Sequence, residues 1–331
     1  MADEQKMTTA LSAWTNSVTE LVVSDFNQNG VVFDDYSKAC AMNAMSSIYQ
    51  IVKSSGAAMK DVDTSNLREI VGQCASLKLN ANGFPRECYF QLRKKKVGDQ
   101  WTQVVELGLE GAGQESLLRN FGINVKQVYD WWIVKEGDEF TYPKRKGLTL
   151  TDPEWEQKGL SQKTVRVVLP VKLNDDSVTY LIAERESVKV NLFAHVRNNL
   201  MNETFGICES RFKATDAEKK QIDEKKEAIY AKLRKCETVD DMIKCEAAIP
   251  YMSGAWVDTF ESMVIRKMQN NAVRKYPKNF NNMAKKSFME MDDTYQQTQE
   301  DIAEQANAEE FDDENVFESV AKDVEEHTDE T

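Results

Sequence analysis

The sequence predicts an α+β fold, with helices packed on a small antiparallel meander and hairpin sheet. Three observations point to it. Residues 36–51 and 67–79 carry small and apolar side chains at helical spacing. Between residues 87 and 184, β-branched and aromatic runs alternate with short turn signals. Residues 256–278 return to a helical period, with apolar side chains on one flank and cations on another.

Taken in order, residues 7–53 hold helix-like patterns interrupted by the polar run Asn27-Gln28-Asn29-Gly30. The helices at 36–51 and 67–79 are expected to pack on a core, and residues 80–85 (NANGFP) form a turn cluster. Residues 87–97 and 101–107 flank Gly98-Asp99, a two-residue hairpin signal. A short helix at 114–121 follows a glycine-bearing turn. Strands are expected at 124–134, 138–146, 163–173 and 177–184, the last two joined by Asn174-Asp175-Asp176. After a helix at 186–200, residues 215–245 are helical by propensity, with only Ile222, Ile229 and Leu233 as an apolar stripe. That stretch reads as a peripheral, highly charged helical excursion.

Residues 256–278 read as one amphipathic helix stopped by Pro277, which constrains the residue before it and supplies no N–H. Trp256, Phe260, Met263, Val264, Met268 and Ala272 share its apolar flank. Arg266, Asn270, Arg274 and Lys278 form an i, i+4 row, with Lys267 and Lys275 beside it. Two readings compete for that row: a solvated face, or a rail for a polyanion.

A chain of 331 residues with 41% hydrophobic content can bury a sizeable core. It contains no run of 18 uncharged apolar residues, and its start, MADEQKMTTA, has no apolar signal-peptide core. A non-secreted protein without a membrane partner is expected. Cys40, Cys74, Cys88, Cys208, Cys236 and Cys245 form no CxxC pair and read as reduced core thiols of a cytoplasmic protein. The net charge of −13 is unevenly spread. From Glu290 onward there are seventeen acidic residues and one basic residue, Lys322, which leaves +3 for the preceding 289 residues. Residues 1–290 are therefore read as the folded body and 291–331 as an acidic, disordered tail.

Catalytic constellations are thin. The chain has two histidines, and His327 lies in the tail, so His-based triads and His-rich metal sites are nearly excluded. His195, beside Leu192, Phe193 and Val196, reads as a structural or surface residue. Residues 106–113 (ELGLEGAG) have the glycines of a nucleotide loop but no Gly-Lys-Ser/Thr after them, so a backbone turn is the better reading. Asp152, Glu156 and Lys158 imitate the D…ExK pattern of a metal-dependent nuclease. They lie in an apparent loop without a second carboxylate strand, whereas metal-assisted hydrolysis needs rigidly placed oxygen ligands. Met42, Met45, Met263 and Met268 are core filler. No cofactor, metal site or enzyme emerges.

What remains is a threefold pairing of cations with aromatics. Arg93, Lys94, Lys95 and Lys96 lie at the hairpin tip, with Tyr89, Phe90 and Trp101 in its body. Tyr129, Trp131 and Trp132 lead into Phe140, Tyr142, Lys144, Arg145 and Lys146. The third set is the row with Arg266, Lys267, Asn270, Arg274, Lys275 and Lys278. Single-stranded nucleic acid is bound by such chemistry, cations tracking phosphates and flat rings stacking on bases. The plainer alternative makes the aromatics core and the lysines solubilising.

The last helix resembles the signature of the RecT family of phage single-strand annealing proteins, W-x-x-x-aromatic-E-x-M followed by basic residues and a proline. The matching residues are Trp256, Phe260, Glu261, Met263, Arg266, Arg274 and Pro277. Residues 134–140 (VKEGDEF) resemble the family's V-x-E-G-D-E-F. Residues 73–79 (QCASLKL), with Cys88-Tyr89-Phe90, resemble its Q-C-x-x-L-G-L and the first hairpin strand. Order and spacing hold from about residue 36 to 186 and again from 253 to 278. Three departures mark a distant branch. The family's G-Y-R-G turn stands here as Gly108-Leu109-Glu110-Gly111, its paired arginines stand as Asn270 and Asn271, and residues 203–252 have no counterpart in shorter members.

The resemblance implies an ATP-independent protein of the bacterial host cytoplasm, phage or prophage encoded. Such a protein coats single-stranded DNA and anneals it to a complement, giving duplex, as a ring or helical filament of identical subunits. It also implies a phage exonuclease and the host single-strand-binding protein as partners, for which the acidic tail is a candidate dock. A DNA-binding scaffold without annealing activity is the nearest alternative, and the Asp152/Glu156/Lys158 nuclease the more distant one.

Overall fold

Aspartates placed just before apolar periodic runs start two long helices of the computed structural model. Asp34 accepts the Ser37 amide at 2.7 Å at the head of α1 (Asp35–Ser54). Asp63 accepts the amides of Ser65 and Asn66 at the head of α2 (Thr64–Ser76). The structure describes residues 17, 18, 20–26, 28, 33–97, 100–280, 284, 285, 287 and 288, and of residues 94–97, 100, 101 and 212 the backbone alone. The tail at 291–331, the Gly98-Asp99 turn and most of the polar break at 27–30 lie outside the described residues.

The hairpin expected from the sequence is present as β1 (Cys88–Val97) and β2 (Gln100–Leu109), antiparallel, with Val97 opposite Gln100 and Cys88 opposite Leu109. Helix α2 serves the outer edge of β2. The Asn66 amide donates to the Val105 carbonyl at 3.1 Å and accepts the Val105 N–H at 2.7 Å, as a neighbouring strand would. Met45, Ile48, Leu67, Val71 and Cys74 from the helices meet Phe90 and Val105 from the hairpin in a first core. Helix α3 (Gly111–Phe121) starts three residues earlier than expected and joins this core to the rest. Its Leu117 belongs to the first core, whereas Leu118 packs with Leu169, Val171 and Val273.

The strand expected at 124–134 is broken into β3 (Val125–Val128) and β4 (Trp132–Lys135). After them come β5 (Glu139–Thr141), β6 (Arg145–Lys146), β7 (Thr149–Leu150), β8 (Glu154–Glu156), β9 (Thr164–Leu173) and β10 (Val178–Glu184). Both β3 and β4 pair with β9, Val128 facing Val171 and Trp132 facing Val168, so one extra residue is absorbed between them. The cause is Pro170. It has no N–H to give to the ladder, and only its carbonyl is used, by the Tyr129 amide at 3.1 Å. Residues 138–146 also divide, β5 pairing with β8 and β6 with β7, so the apparent loop at 152–158 includes a strand.

Helices α4 (Lys189–Leu200), α5 (Asp216–Arg234), α6 (Val239–Ile243), α7 (Gly254–Val257) and α8 (Phe260–Arg274) complete the fold. They build a second core with Val167 and Ala183 of the sheet. The charged stretch is no peripheral excursion, because Leu233, Val239 and Met242 are all inside that core. Lys226, 4% exposed, donates to the Met201 carbonyl at 2.8 Å, and Arg211 bonds the same oxygen and Asp223. These bonds satisfy the C-terminal end of α4 with cations carried by the inserted segment.

The expected single helix at 256–278 is split at Asp258 and Thr259. Thr259 leaves the helical region at φ −128° and ψ 44°, and its hydroxyl donates back to the Ala255 carbonyl at 2.9 Å. Such back-bonding bends helices. The architecture is α+β, and among the described residues no helix is long and apolar enough to cross a membrane.

Candidate nucleic-acid interface

Helices α7 and α8 sort their side chains sharply by chemistry. Trp256 is 2% exposed, with its ring 6.0 Å from His195 and 6.4 Å from Phe260. Burial and the nearby Lys267 lower the pKa of His195, whose Nε2 accepts the Ser253 amide at 3.1 Å. The imidazole thus holds the Ser253 backbone at the head of α7. Glu261 accepts the Thr164 amide and Arg185, while the Arg185 guanidinium lies 5.3 Å from the Phe260 ring centre. Met263, Val264 and Met268 are buried in the second core.

The cationic row on α8 lies along its contact with α3. Arg266 is exposed and pairs with Glu110 at 3.3 Å. Asn270 is pressed against Gly111, where a Cβ would stand 3.0 Å from its Oδ1; that buried oxygen has no hydrogen-bond partner among the described residues. Arg274 and Lys275 are exposed. Lys278 turns back to donate to the carbonyls of Val273 (3.2 Å) and Tyr276 (3.1 Å), closing the helix end, and burial brings its pKa down to about 8. Lys267 is half-buried, and burial and then Arg266 lower its pKa. Asn271 fastens α8 to α4 through Asn191 Oδ1 at 2.8 Å. The row is thus part packing seam, with Arg266, Arg274 and Lys275 left as its exposed cations.

The second cluster is mostly consumed by the sheet. Trp132 stacks on Trp155 at 6.0 Å, Trp155 Nε1 donates to Asp138 at 3.0 Å, and Trp131 Nε1 donates to Glu115 at 2.9 Å. Arg166 lies over Phe140 and Tyr142 at 4.4 and 4.3 Å while pairing with Glu184. Lys144, Arg145 and Lys146 remain exposed on the β6–β7 hairpin, and Tyr129 and Tyr142 are the exposed rings. Asp138 organises this region. It accepts the amides of Lys135, Lys158 and Gly159 and the Trp155 indole, and these bonds, the Lys135 amide first, hold its carboxyl down at about 2.

In the first cluster Arg93 is exposed and pairs with Glu106. The side chains of Lys94, Lys95, Lys96 and Trp101 lie outside the described residues. Of the nuclease-like trio, Lys158 binds Glu156 at 3.4 Å and Glu139 at 2.7 Å, while Asp152 accepts the Tyr180 hydroxyl at 2.6 Å. Among the described residues no three His, Cys, Asp or Glu side chains gather as a metal-ion site.

No family model, curated protein or solved structure matches this chain.

Two residues absent from the sequence-derived site, Arg86 and Glu110, belong beside α8, and Phe84 stands on the same turn as Arg86. The turn at 80–87 abuts the start of α3, because the Glu110 amide donates to the Glu87 carbonyl at 2.9 Å. On that turn Arg86 is exposed and pairs with Glu110 at 2.9 Å, and the Phe84 ring is fully exposed at 105%. A large aromatic inside a Gly/Pro turn cluster is the signal that marked Phe84. Glu110 was marked only as an anion standing where the resembled G-Y-R-G turn has a cation, and Arg86, remote in sequence from Arg266, carried no signal.

Proposed function

We propose that this protein binds single-stranded DNA and pairs complementary strands without ATP, as an oligomeric ring or filament serving phage homologous recombination in the bacterial cytoplasm. Three sequence segments, in family order and spacing, resemble the RecT annealing proteins. The observation that carries the proposal is the division of labour across α7 and α8. Trp256, Phe260, Glu261 and Met263 are spent on the core and its anchor, which leaves Arg266, Arg274 and Lys275 exposed for a polyanion. Lys144, Arg145, Lys146 and Arg93 extend the cationic surface, and Phe84 and Tyr129 offer rings for bases.

The chemistry needs no bond making or breaking. Cations that neutralise phosphates lower the repulsion between two strands, and ordered bases let a second strand test complementarity. Identical subunits meeting head to tail generate a ring or an open filament according to whether the rotation closes. The exchange itself is driven by base pairing.

The test is a fluorescence annealing assay with complementary oligonucleotides and no nucleotide, comparing the full chain with Arg266→Ala/Arg274→Ala. The full chain accelerates pairing, and the double variant loses most of that acceleration while its circular dichroism and melting point hold. Binding of single strands without faster pairing would reduce the protein to a scaffold. Failure to bind unpaired oligonucleotides at low salt would end the proposal.

A further inference from the structure

Glu110 sits where β2 passes into α3, and its two carboxylate oxygens serve two different arginines. Oε1 accepts from Arg86 Nη2 at 2.9 Å and Oε2 from Arg266 Nη1 at 3.3 Å. One arginine comes from the 80–87 turn and the other from α8, 180 residues apart in sequence (86 to 266). The carboxylate is the recessed member, 20% exposed against 56% for Arg86 and 45% for Arg266. Each guanidinium commits a single nitrogen to it, although the group carries five N–H donors in a fork. Glu110 is also the residue that precedes the first turn of α3, yet its side chain makes no capping bond to that helix. Its two oxygens bond the arginines instead.

An anion bridging two guanidiniums through separate oxygens is the arrangement a phosphodiester adopts between two arginines. From this geometry, and resting on the strand-binding proposal above, we infer that Glu110 is a built-in counter-anion of a phosphate subsite formed by Arg86 and Arg266. A strand phosphate displaces the carboxylate and takes over the two guanidiniums. Exposed ion pairs of this kind are weak, so the displacement is easy and the effect of Glu110 is graded. It lowers affinity and salt sensitivity at this subsite without closing it, which favours a strand that can be released after pairing.

The experiment is fluorescence anisotropy of a labelled oligodeoxythymidylate with the full chain, titrated with NaCl, for wild type, Glu110→Gln and Glu110→Gln/Arg266→Gln. The Glu110→Gln chain binds about three- to tenfold tighter. Its plot of log affinity against log salt steepens by about 0.7, one further phosphate contact on a single strand. Adding Arg266→Gln removes the gain. Glu110→Ala moves affinity in the same direction, because the effect comes from removing an anion and not from the new amide. If wild type binds the oligonucleotide and both Glu110 variants, folded by circular dichroism, bind equally or more weakly, the counter-anion role is refuted and strand binding stands. If neither wild type nor the variants bind, strand binding fails and the subsite fails with it.

Discussion

Replacing Arg185 with methionine removes the cation that ties β9, α6 and α8 together. Its Nε and Nη2 reach the two oxygens of Asp240, both at 2.9 Å, and its Nη1 donates to the Thr164 carbonyl at 2.8 Å and to Glu261 at 3.1 Å. The Arg185 side chain is 5% exposed, so methionine refills much of the volume while Asp240 and Glu261 lose their shared counter-ion. Breaking a buried pair from one side costs about 3–5 kcal/mol. Asp240 and Glu261 are 26% and 33% exposed, so water reaches both, and the lower end of that range applies. At roughly 2–4 °C per kcal/mol for a body of this size, the melting point falls by roughly 6–12 °C. Urea unfolding followed by circular dichroism reads the same loss as a lower midpoint at unchanged slope. Lys163→Met is the control. Lys163 approaches Asp240 at 3.5 Å and Glu136 at 3.6 Å but is 39% exposed, so its removal costs less than about 1 kcal/mol. A loss for Arg185→Met no larger than for Lys163→Met would show that the network does not hold α8 in place.

Gly113→Ala puts a Cβ 2.1 Å from the Glu87 carbonyl oxygen and destabilises by about 1–3 kcal/mol or more. Gly72→Ala, with nothing within 4 Å in the middle of α2, stabilises by about 0.5–1 kcal/mol; paired urea titrations check both signs. Asp138 has a folded-state pKa of about 2 against its ordinary 3.8. Its contribution is therefore complete above about pH 4 and lost as pH falls toward 2, and melting curves of Asp138→Asn are flatter than wild type across that window. Phe84→Ala, at a fully exposed ring, changes stability by less than about 0.5 kcal/mol. The same change removes ~1–3 kcal/mol of single-strand affinity in the anisotropy titration if the ring stacks on a base.

The periodic parts of the fold were readable from the sequence because their patterns are local. The small and apolar residues at helical spacing in 36–51 and 67–79 announce α1 and α2, and the turn-bounded runs around 98–99 and 174–176 announce the hairpins. The misreadings have non-local causes. Pro170 breaks the neighbouring strand, not its own, so nothing within residues 124–134 foretells the gap between β3 and β4. The inserted helices were judged by their thin apolar stripe, whereas Lys226 and Arg211 dock them on a helix C-terminus set by tertiary packing. At the candidate site, composition identified the exposed cations but not which aromatics would be consumed. Trp131, Trp132, Trp155 and Phe140 look alike in sequence, and only the fold assigns them to Glu115, to one another and to Arg166.

The same sorting bears on how far a signature can carry a function. Trp256 is buried against His195, Glu261 holds Arg185 and the start of β9, and Met263 fills the second core. Asp138 of the second resembling segment ties a turn together, and Cys74 of the first is fully buried. Residues of that kind are constrained by folding whatever the surface does, so the segments argue first for a shared way of packing. Strand binding has to be judged instead on side chains that packing leaves free to vary, such as Arg86, Arg266, Arg274 and Phe84. There the chain places a carboxylate between two cations, and whether Glu110 tunes a phosphate site or only balances charge decides how DNA would be held at that place.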